Sequence, residues 1–363
     1  MKRNIKEISD SQLLEFLESI GEKKFRLGQI NQWLWQKNVT AFEQMTNLSK
    51  NLREKLEENF FLAPVKIKSS QQSTVDKTIK YTFELHDGNL IEGVLIPSRK
   101  GQRVTACIST QVGCPLGCKF CATGTMGLRR NLTKSEIYDH LFLLNQESQK
   151  HFGRKLTNIV VMGMGEPLLN YDNLMAATDL ITSAKGLAMS PQRITVSTVG
   201  IVKELYRLAD DRPKFNLAVS LHSAVPETRT SIMPVNKSNP LDKLTEALKY
   251  FHNKTGKRIT FEYLMLRDIN DSIKDAQALA EFCKNFPSKI NLIEFNETPG
   301  SQFRRSTPEN TEAFKNFLEK RNLIVTIRRS KGQDIAAACG QLVKITEKNK
   351  QLFDFKNINQ QKQ

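Results

Sequence analysis

The chain has 363 residues, 39% of them hydrophobic, and carries 54 Lys plus Arg against 38 Asp plus Glu, a formal net charge of +16. That length suits one elaborated α/β domain or two. No run approaches the ~18 apolar residues of a membrane span, and Met1 to Ile20 mixes charged with apolar residues instead of showing a signal peptide's apolar block, so a cytoplasmic protein without a membrane anchor is expected.

Residues 8 to 60 read as amphipathic helices, with Leu13, Leu14, Phe16 and Leu17 on one stripe and Ile30, Trp33 and Leu34 on the next. They predict a small N-terminal helical domain over residues 1–64. Residues 65–100 alternate in a β-like way from Thr78 through a His86-Asp-Gly turn to Leu90-Ile-Glu-Gly-Val-Leu-Ile, which predicts a hairpin linking two parts. From residue 101 to 345 seven short β-branched runs, beginning near Arg103, Asn158, Arg193, Phe215, Arg258, Ile290 and Leu323, alternate with helical stretches. Repeated β-then-α units imply a parallel sheet, open or curled into a full or partial barrel. Met164-Gly-Glu-Pro, Ser197-Thr-Val-Gly, Ser220-Leu-His and Asn296-Glu-Thr-Pro-Gly each follow a strand, on the edge where such sheets build their sites. Thr133-x-x-Glu136 fits a capping box and predicts a helix start. The polar stretch over 346–363 is expected to fray.

The charge is uneven. Residues 97 to 160 hold ten Lys or Arg against three acids, residues 321 to 363 nine against three, and these two stretches contain five of the six cysteines. An excess that brackets the chemistry suggests a polyanionic substrate such as RNA; a basic surface kept for solubility is the alternative that charge alone leaves open.

Cys114-Pro-Leu-Gly-Cys118-Lys-Phe-Cys121 has the spacing C-x3-C-x2-C. Zinc sites usually show two C-x2-C pairs or added histidines, and no second pair or nearby His completes one here. Three thiolates suit a four-iron cluster with one iron left open. Cys283, between Phe282 and Phe286, reads as a buried small hydrophobe.

This spacing after the first strand resembles the signature of the radical S-adenosylmethionine superfamily, and Met164-Gly-Glu-Pro resembles that superfamily's amino-group-binding motif. The longer words Gln111 to Gly124, Gly163 to Asn170, Ser220-Leu-His, Ile232-Met-Pro-Val-Asn and Asp334-Ile-Ala-Ala-Ala-Cys-Gly-Gln-Leu together resemble the bacterial RNA adenine-C2 methyltransferases of the RlmN/Cfr family, over about residues 10 to 345. The resemblance implies a partial (β/α)6-type barrel, a 4Fe-4S cluster on Cys114, Cys118 and Cys121, and two S-adenosyl-L-methionine molecules per methylation. Gly165 and Glu166 would bind the methionine amino group, Ser197 would lie near the ribose or carboxylate, and Ser220, Leu221, His222 and Asn296 would lie along the cofactor. Taken singly, Ser and Asn at strand ends are usually caps, and a His there is usually a satisfied core residue.

Carbon 2 of adenine has no lone pair with which to attack a methyl sulfonium, so a radical route is required. By the resemblance, Cys339 first takes a methyl group from one S-adenosylmethionine. A 5′-deoxyadenosyl radical from the second then removes hydrogen from it, and the resulting carbon radical adds to the base. Glu92 removes the carbon-2 proton, and Cys107 attacks Cys339 to release the product through a transient disulfide. Gly93 stands where many relatives have Thr, and is expected to loosen its strand without abolishing the role of Glu92. The implied substrates are adenosine 2503 of 23S rRNA and adenosine 37 of certain tRNAs, gripped with help from the helical domain, with a cytoplasmic electron donor such as flavodoxin and a monomeric enzyme. Arg129, Arg130, Arg328, Arg329 and Lys331 are chosen on charge alone as phosphate contacts. Three rivals stand beside this reading: carbon-8 methylation of the Cfr type, a non-catalytic zinc-dependent RNA-binding module, and a radical activase of another protein.

Overall fold

The computed structural model describes residues 2–98, 102–296 and 301–342; the stretch expected to fray lies outside them, as do the four residues after Asn296. A ten-stranded sheet organises the molecule. In chain order its strands are β1 (Lys66–Gln72), β2 (Ile79–Glu84), β3 (Leu90–Pro97), β4 (Val104–Ile108), β5 (Asn158–Val161), β6 (Ile194–Thr198), β7 (Asn216–Ser220), β8 (Ile259–Met265), β9 (Ser288–Glu294) and β10 (Ile324–Arg328). Strands β4 to β10 are parallel neighbours in sequence order, one for each β-branched run. Six helical crossovers join them, and right-handed packing of such crossovers onto one face curls the sheet. All of Val196, Leu217, Val219, Phe261, Ile290 and Leu292 are fully buried, as strands covered on both faces require.

The hairpin forms with its turn at the predicted place, Glu84 pairing with Leu90. Its strands extend the main sheet, β1-β2-β3 running antiparallel onto β4, so the segment continues the wall of the barrel. The sheet remains open between β10 and β1 among the described residues. Chain beyond β10 bridges that side: Gly332 N donates to Asp76 Oδ2 (2.9 Å), Lys80 Nζ to the Ala336 carbonyl (3.3 Å) and Lys331 to the Pro97 carbonyl. A partial barrel results.

The first crossover helix, Lys134–Phe152, begins on the predicted capping box, with Glu136 N donating to Thr133 Oγ1 and Thr133 N to Glu136 Oε2. It also receives the N-terminal module, whose helices are Asp10–Ser19, Phe25–Asn31 and Lys50–Asn59, through the turn Ile5–Glu7 and through Trp35. The Lys6 ammonium donates to both oxygens of Asp139 (2.7 and 3.0 Å), Tyr138 Oη to the Trp35 carbonyl (2.5 Å) and Ser135 N to Glu7 (3.2 Å). No helix of the described residues is long and apolar enough to cross a membrane.

Candidate active site

The loops after β4 to β10 meet at the C-terminal edge of the sheet. The cysteine loop follows β4 and is pinned by a small hairpin, Gln111–Cys114 against Gly127–Asn131. Cys118 is buried, and Cys114 and Cys121 are half-buried. Burial pushes the Cys114 thiol up to about 12, opposed by the Leu116 N–H and reinforced by the charge of Cys121. Cys118 feels both other sulfurs, and Cys121 receives the Gly124 and Thr123 N–H groups. Among the described residues no three His, Cys, Asp or Glu side chains gather round a single ion. A cubane cluster asks for a different arrangement, one soft thiolate per iron with N–H groups directed at the sulfurs. Three mutually interacting thiols with such donors match it.

A cavity of about 340 Å³ opens beside this loop, lined by Cys121, Cys107 of β4, Cys339 and Arg328. Cys107 is buried and Cys339 exposed, and both are free thiols. Burial pushes Cys107 up to about 12, helped by the charge of Cys339 and opposed by the Arg328 guanidinium. The Cys339 segment is tied to the cysteine loop, since Ala122 N donates to the Gly340 carbonyl (2.8 Å) and Thr123 Oγ1 to that of Leu342 (2.6 Å). Asn296 donates to the Cys339 carbonyl (3.5 Å) while accepting from Gln333 (2.8 Å). It therefore steadies this segment and does not line the cavity.

Glu92 is buried on β3, its carboxylate 3.6 Å from the Lys80 ammonium. Val94 pairs with Cys107, so Glu92, two residues along, shares the sheet face of that cysteine. Gly93 points the other way, and a Cβ there would overlap the imidazole of His140. The strand is not loosened, because the His140 ring occupies the space a side chain at 93 would take.

A second, smaller space of about 150 Å³ shares Cys121, Arg328 and Cys339 with the first, and is lined by Gly165, Glu166, Ser197, Ser220 and His222. Gly165 has φ +101°, and a Cβ would sit 2.5 Å from that of Gln111, so only glycine fits. The Glu166 carboxylate accepts from Thr198 Oγ1 (2.6 Å), Val199 N (3.0 Å) and Leu168 N (3.1 Å), leaving about one of its four acceptor positions. Burial raises it to about 7. Ser197 and Ser220 hydroxyls lie 3.3 Å apart. His222 Nδ1 accepts from Leu264 N (3.0 Å), and burial, with Arg229 nearby, holds the ring down at about 3 and therefore neutral. Leu221 is fully buried in the core, so only its backbone belongs to this edge.

These observations are matched by known proteins. Residues 3–62 match the model of the ribosomal RNA large subunit methyltransferase N-terminal domain, and residues 108–282 that of the radical SAM superfamily. A probable dual-specificity RNA methyltransferase RlmN of Christiangramia forsetii is 49% identical over 94% of this chain and 96% of its own. That of Cytophaga hutchinsonii is 50% identical over 94% and 93%. The chain belongs to the RlmN family of radical S-adenosylmethionine RNA methyltransferases. A crystal structure of a radical SAM methyltransferase from Sphaerobacter thermophilus superposes with a TM-score of 0.87 at 38% identity, covering 94% of this chain and 99% of that one. As members of this family do, the enzyme uses a 4Fe-4S cluster and S-adenosylmethionine.

Two of the basic residues chosen on charge also have acidic partners within the fold. Arg130 holds Glu136 through two hydrogen bonds (2.7 and 2.9 Å) and Asp87 through a third (2.6 Å). Arg328 turns inward to Glu262 (3.7 Å) and the Met162 sulfur (3.5 Å). Residues that sequence reasoning passed over include Glu262, buried on β8 and bonded to Asn291 (2.8 Å), Lys80 and Arg229. The acid in the otherwise apolar run of β8 was a visible signal for Glu262; no pattern marked the other two.

Proposed function

We propose that this enzyme methylates carbon 2 of adenine in RNA, at adenosine 2503 of 23S rRNA and adenosine 37 of certain tRNAs, in the cytoplasm. The observation that carries the reading is one cavity lined by Cys107, Cys339 and Cys121 of the cysteine loop. The helical N-terminal domain, residues 1–64, grips RNA beside a barrel domain over 101–345; the enzyme works as a monomer and draws electrons from a donor of the flavodoxin kind. Cys114, Cys118 and Cys121 hold the cluster, which with S-adenosylmethionine supplies the one-electron chemistry an unactivated C–H bond needs.

The protein's own residues do the rest. Gly163 to Glu166 and Ser197, Ser220 and His222 form the wall against which S-adenosylmethionine lies. Cys339, on the exposed lip, carries the carbon unit as a thioether that becomes joined to the base. Glu92, on the face shared with Cys107, takes the carbon-2 proton of the adduct, whose unpaired electron would return to the cluster. The Cys107 thiolate then attacks Cys339 Sγ: the S–S bond forms, the S–C bond breaks, and its electron pair remains with the carbon unit, which takes up a proton as the new methyl. Arg328, within electrostatic reach of both sulfurs, favours the attacking thiolate.

The test is to reconstitute the protein anaerobically and supply S-adenosylmethionine, reductant, and protein-free 23S rRNA fragments or tRNA. Any new methyl group is then mapped by nuclease digestion and mass spectrometry. The reading expects 2-methyladenosine, lost in Cys339→Ala, and a covalent protein–RNA adduct accumulating in Cys107→Ala. A product of 8-methyladenosine would overturn the position assigned on the base. No modified base from an iron-loaded protein would overturn the substrate.

A further inference from the structure

Arg229 is among the largest fully buried side chains. It lies on the short helix Pro226–Ile232. Its Nε donates to the Leu221 carbonyl (3.2 Å), Nη2 to the Val199 carbonyl (2.7 Å), and Nη1 to Asn236 Oδ1 (2.7 Å) and the Asn239 carbonyl (3.5 Å). Every one of these acceptors is neutral. The other arginines turned into the protein differ: Arg130 meets Glu136 and Asp87, and Arg328 meets Glu262. A guanidinium buried without a counter-charge is expensive. Burial does pull Arg229 down, but only to about 10, so it stays charged at neutral pH.

A tie between strand-end loops needs hydrogen-bond donors and not a full charge. What lies next to the charge is the cysteine loop. Lys119 N donates to the Ile232 carbonyl (3.0 Å) at the end of Arg229's own helix, and Cys118 packs in one apolar cluster with Ile232, Met233 and Leu264. In so apolar a setting a charge acts strongly over several ångströms. His222, the other titratable ring on this side, is neutral, with Nδ1 accepting a backbone N–H.

We propose that Arg229 is a positioning charge for electron transfer: it raises the reduction potential of the cluster held by Cys114, Cys118 and Cys121, a counter-ion that none of its hydrogen-bonded partners supplies. The proposal rests on those three cysteines being the ligands. One electron from a low-potential one-electron donor enters the cluster and no bond is made or broken; the added negative charge is stabilised by the fixed cation.

The experiment is an EPR-monitored redox titration with dithionite of the full-length, iron- and sulfide-reconstituted protein and three variants. Arg229→Gln removes the charge, and Arg229→Lys keeps it. Asn236→Asp leaves the guanidinium in place and sets a carboxylate against Nη1; it gives up the Asn236 Nδ2 bond to the Pro226 carbonyl (3.2 Å), and the Thr230 hydroxyl, now an acceptor from Asn236 (2.7 Å) and a donor to that same carbonyl (2.7 Å), can donate to the new carboxylate only by leaving it. Expected is a more negative midpoint in Arg229→Gln and Asn236→Asp, by about a tenfold change in the reduction equilibrium or ~59 mV for one electron. Arg229→Lys should lie near the wild type. Wild-type midpoints in Asn236→Asp at full cluster content would overturn the proposal and leave Arg229 a structural tie, even if Arg229→Gln failed to fold. Wild-type protein that took up no iron would overturn the ligand assignment as well, an outcome the iron and sulfide assay separates from an unchanged midpoint.

Discussion

Replacing Lys6 by Met removes the buried cation that joins the N-terminal segment to the first crossover helix, and its effect has a definite pH signature. Lys6 and Asp139 are both almost wholly buried, and the ammonium also reaches Asn38 and lies 5.5 Å from the Trp35 ring. Burial, only partly offset by Lys6, raises Asp139 from 3.8 to about 6 in the folded protein. A carboxyl raised on folding contributes stability below its unfolded value and loses it as pH rises through the folded one, at up to ~1.4 kcal/mol for each pH unit. Without Lys6 the folded pKa of Asp139 climbs further, so the loss keeps growing above pH 6. The extra loss in Lys6→Met is therefore small near pH 6 and grows to no more than about 3 kcal/mol by pH 8, the point at which protonating Asp139 caps the cost. Urea denaturation followed by circular dichroism at pH 6 and pH 8 measures it. The Lys6→Met/Asp139→Leu double variant should regain most of the stability and lose the added pH dependence. An equal deficit at both pH values would refute the assignment to Asp139.

Arg328→Met should raise the Cys107 pKa and slow release of the protein–RNA adduct at neutral pH in proportion to the thiolate lost, about tenfold if the pKa rises by one. Since pH 7 to 9 lies well below the Cys107 pKa of about 12, the deficit should stay constant across that window while both rates rise about tenfold per pH unit, which single-turnover decay of the adduct reads. Gly93→Thr should cost about 1–3 kcal/mol because its side chain meets the His140 ring. His140→Ala should recover much of that loss in a double-mutant cycle. His140 is suited to the exchange: among the described residues neither of its ring nitrogens has a hydrogen-bond partner, and burial alone holds it near 3.

Features written in local spacing were legible in the sequence. The seven parallel strands show as β-branched runs, the start of the first crossover helix as Thr133-x-x-Glu136, and the three loop cysteines as eight consecutive residues. Features made by distant residues were not. Lys6 and Asp139 are 133 positions apart and each looks like an ordinary surface charge. Gly93 suggested slack because the ring that fills its space comes from the next helix. Arg328 sits in a basic run, and only the curl of the sheet turns it toward Glu262 and the two sulfurs. The hairpin read as a link because a strand's pairing partners are not encoded in its own alternation. Asn296 was legible as a strand-end residue but not as the clamp on Cys339, which needs the fold of the last segment.

The electrostatics of the two cavity cysteines bear on the order of events under the proposed roles. Two influences act on Cys107 besides burial: the charge of Cys339 pushes its pKa up, and Arg328 pulls it down. A Cys339 that carries a carbon unit as a thioether has no charge, so the first influence disappears while the second remains. Cys107 should then lose its proton more readily when Cys339 is loaded than when it is a free thiolate, which favours attack once there is something to release. Cys339→Ala imitates the uncharged state. Iodoacetamide labelling of Cys107, followed peptide by peptide by mass spectrometry between pH 8 and 10, should therefore be faster in Cys339→Ala than in the wild type wherever the wild-type Cys339 is ionised, with the gap widening as pH rises. The gap should shrink in Cys339→Asp, which restores a negative charge near that position. Equal labelling rates in wild type and Cys339→Ala would mean that the two sulfurs do not sense each other's charge, and the timing would have to come from movement of the Cys339 segment.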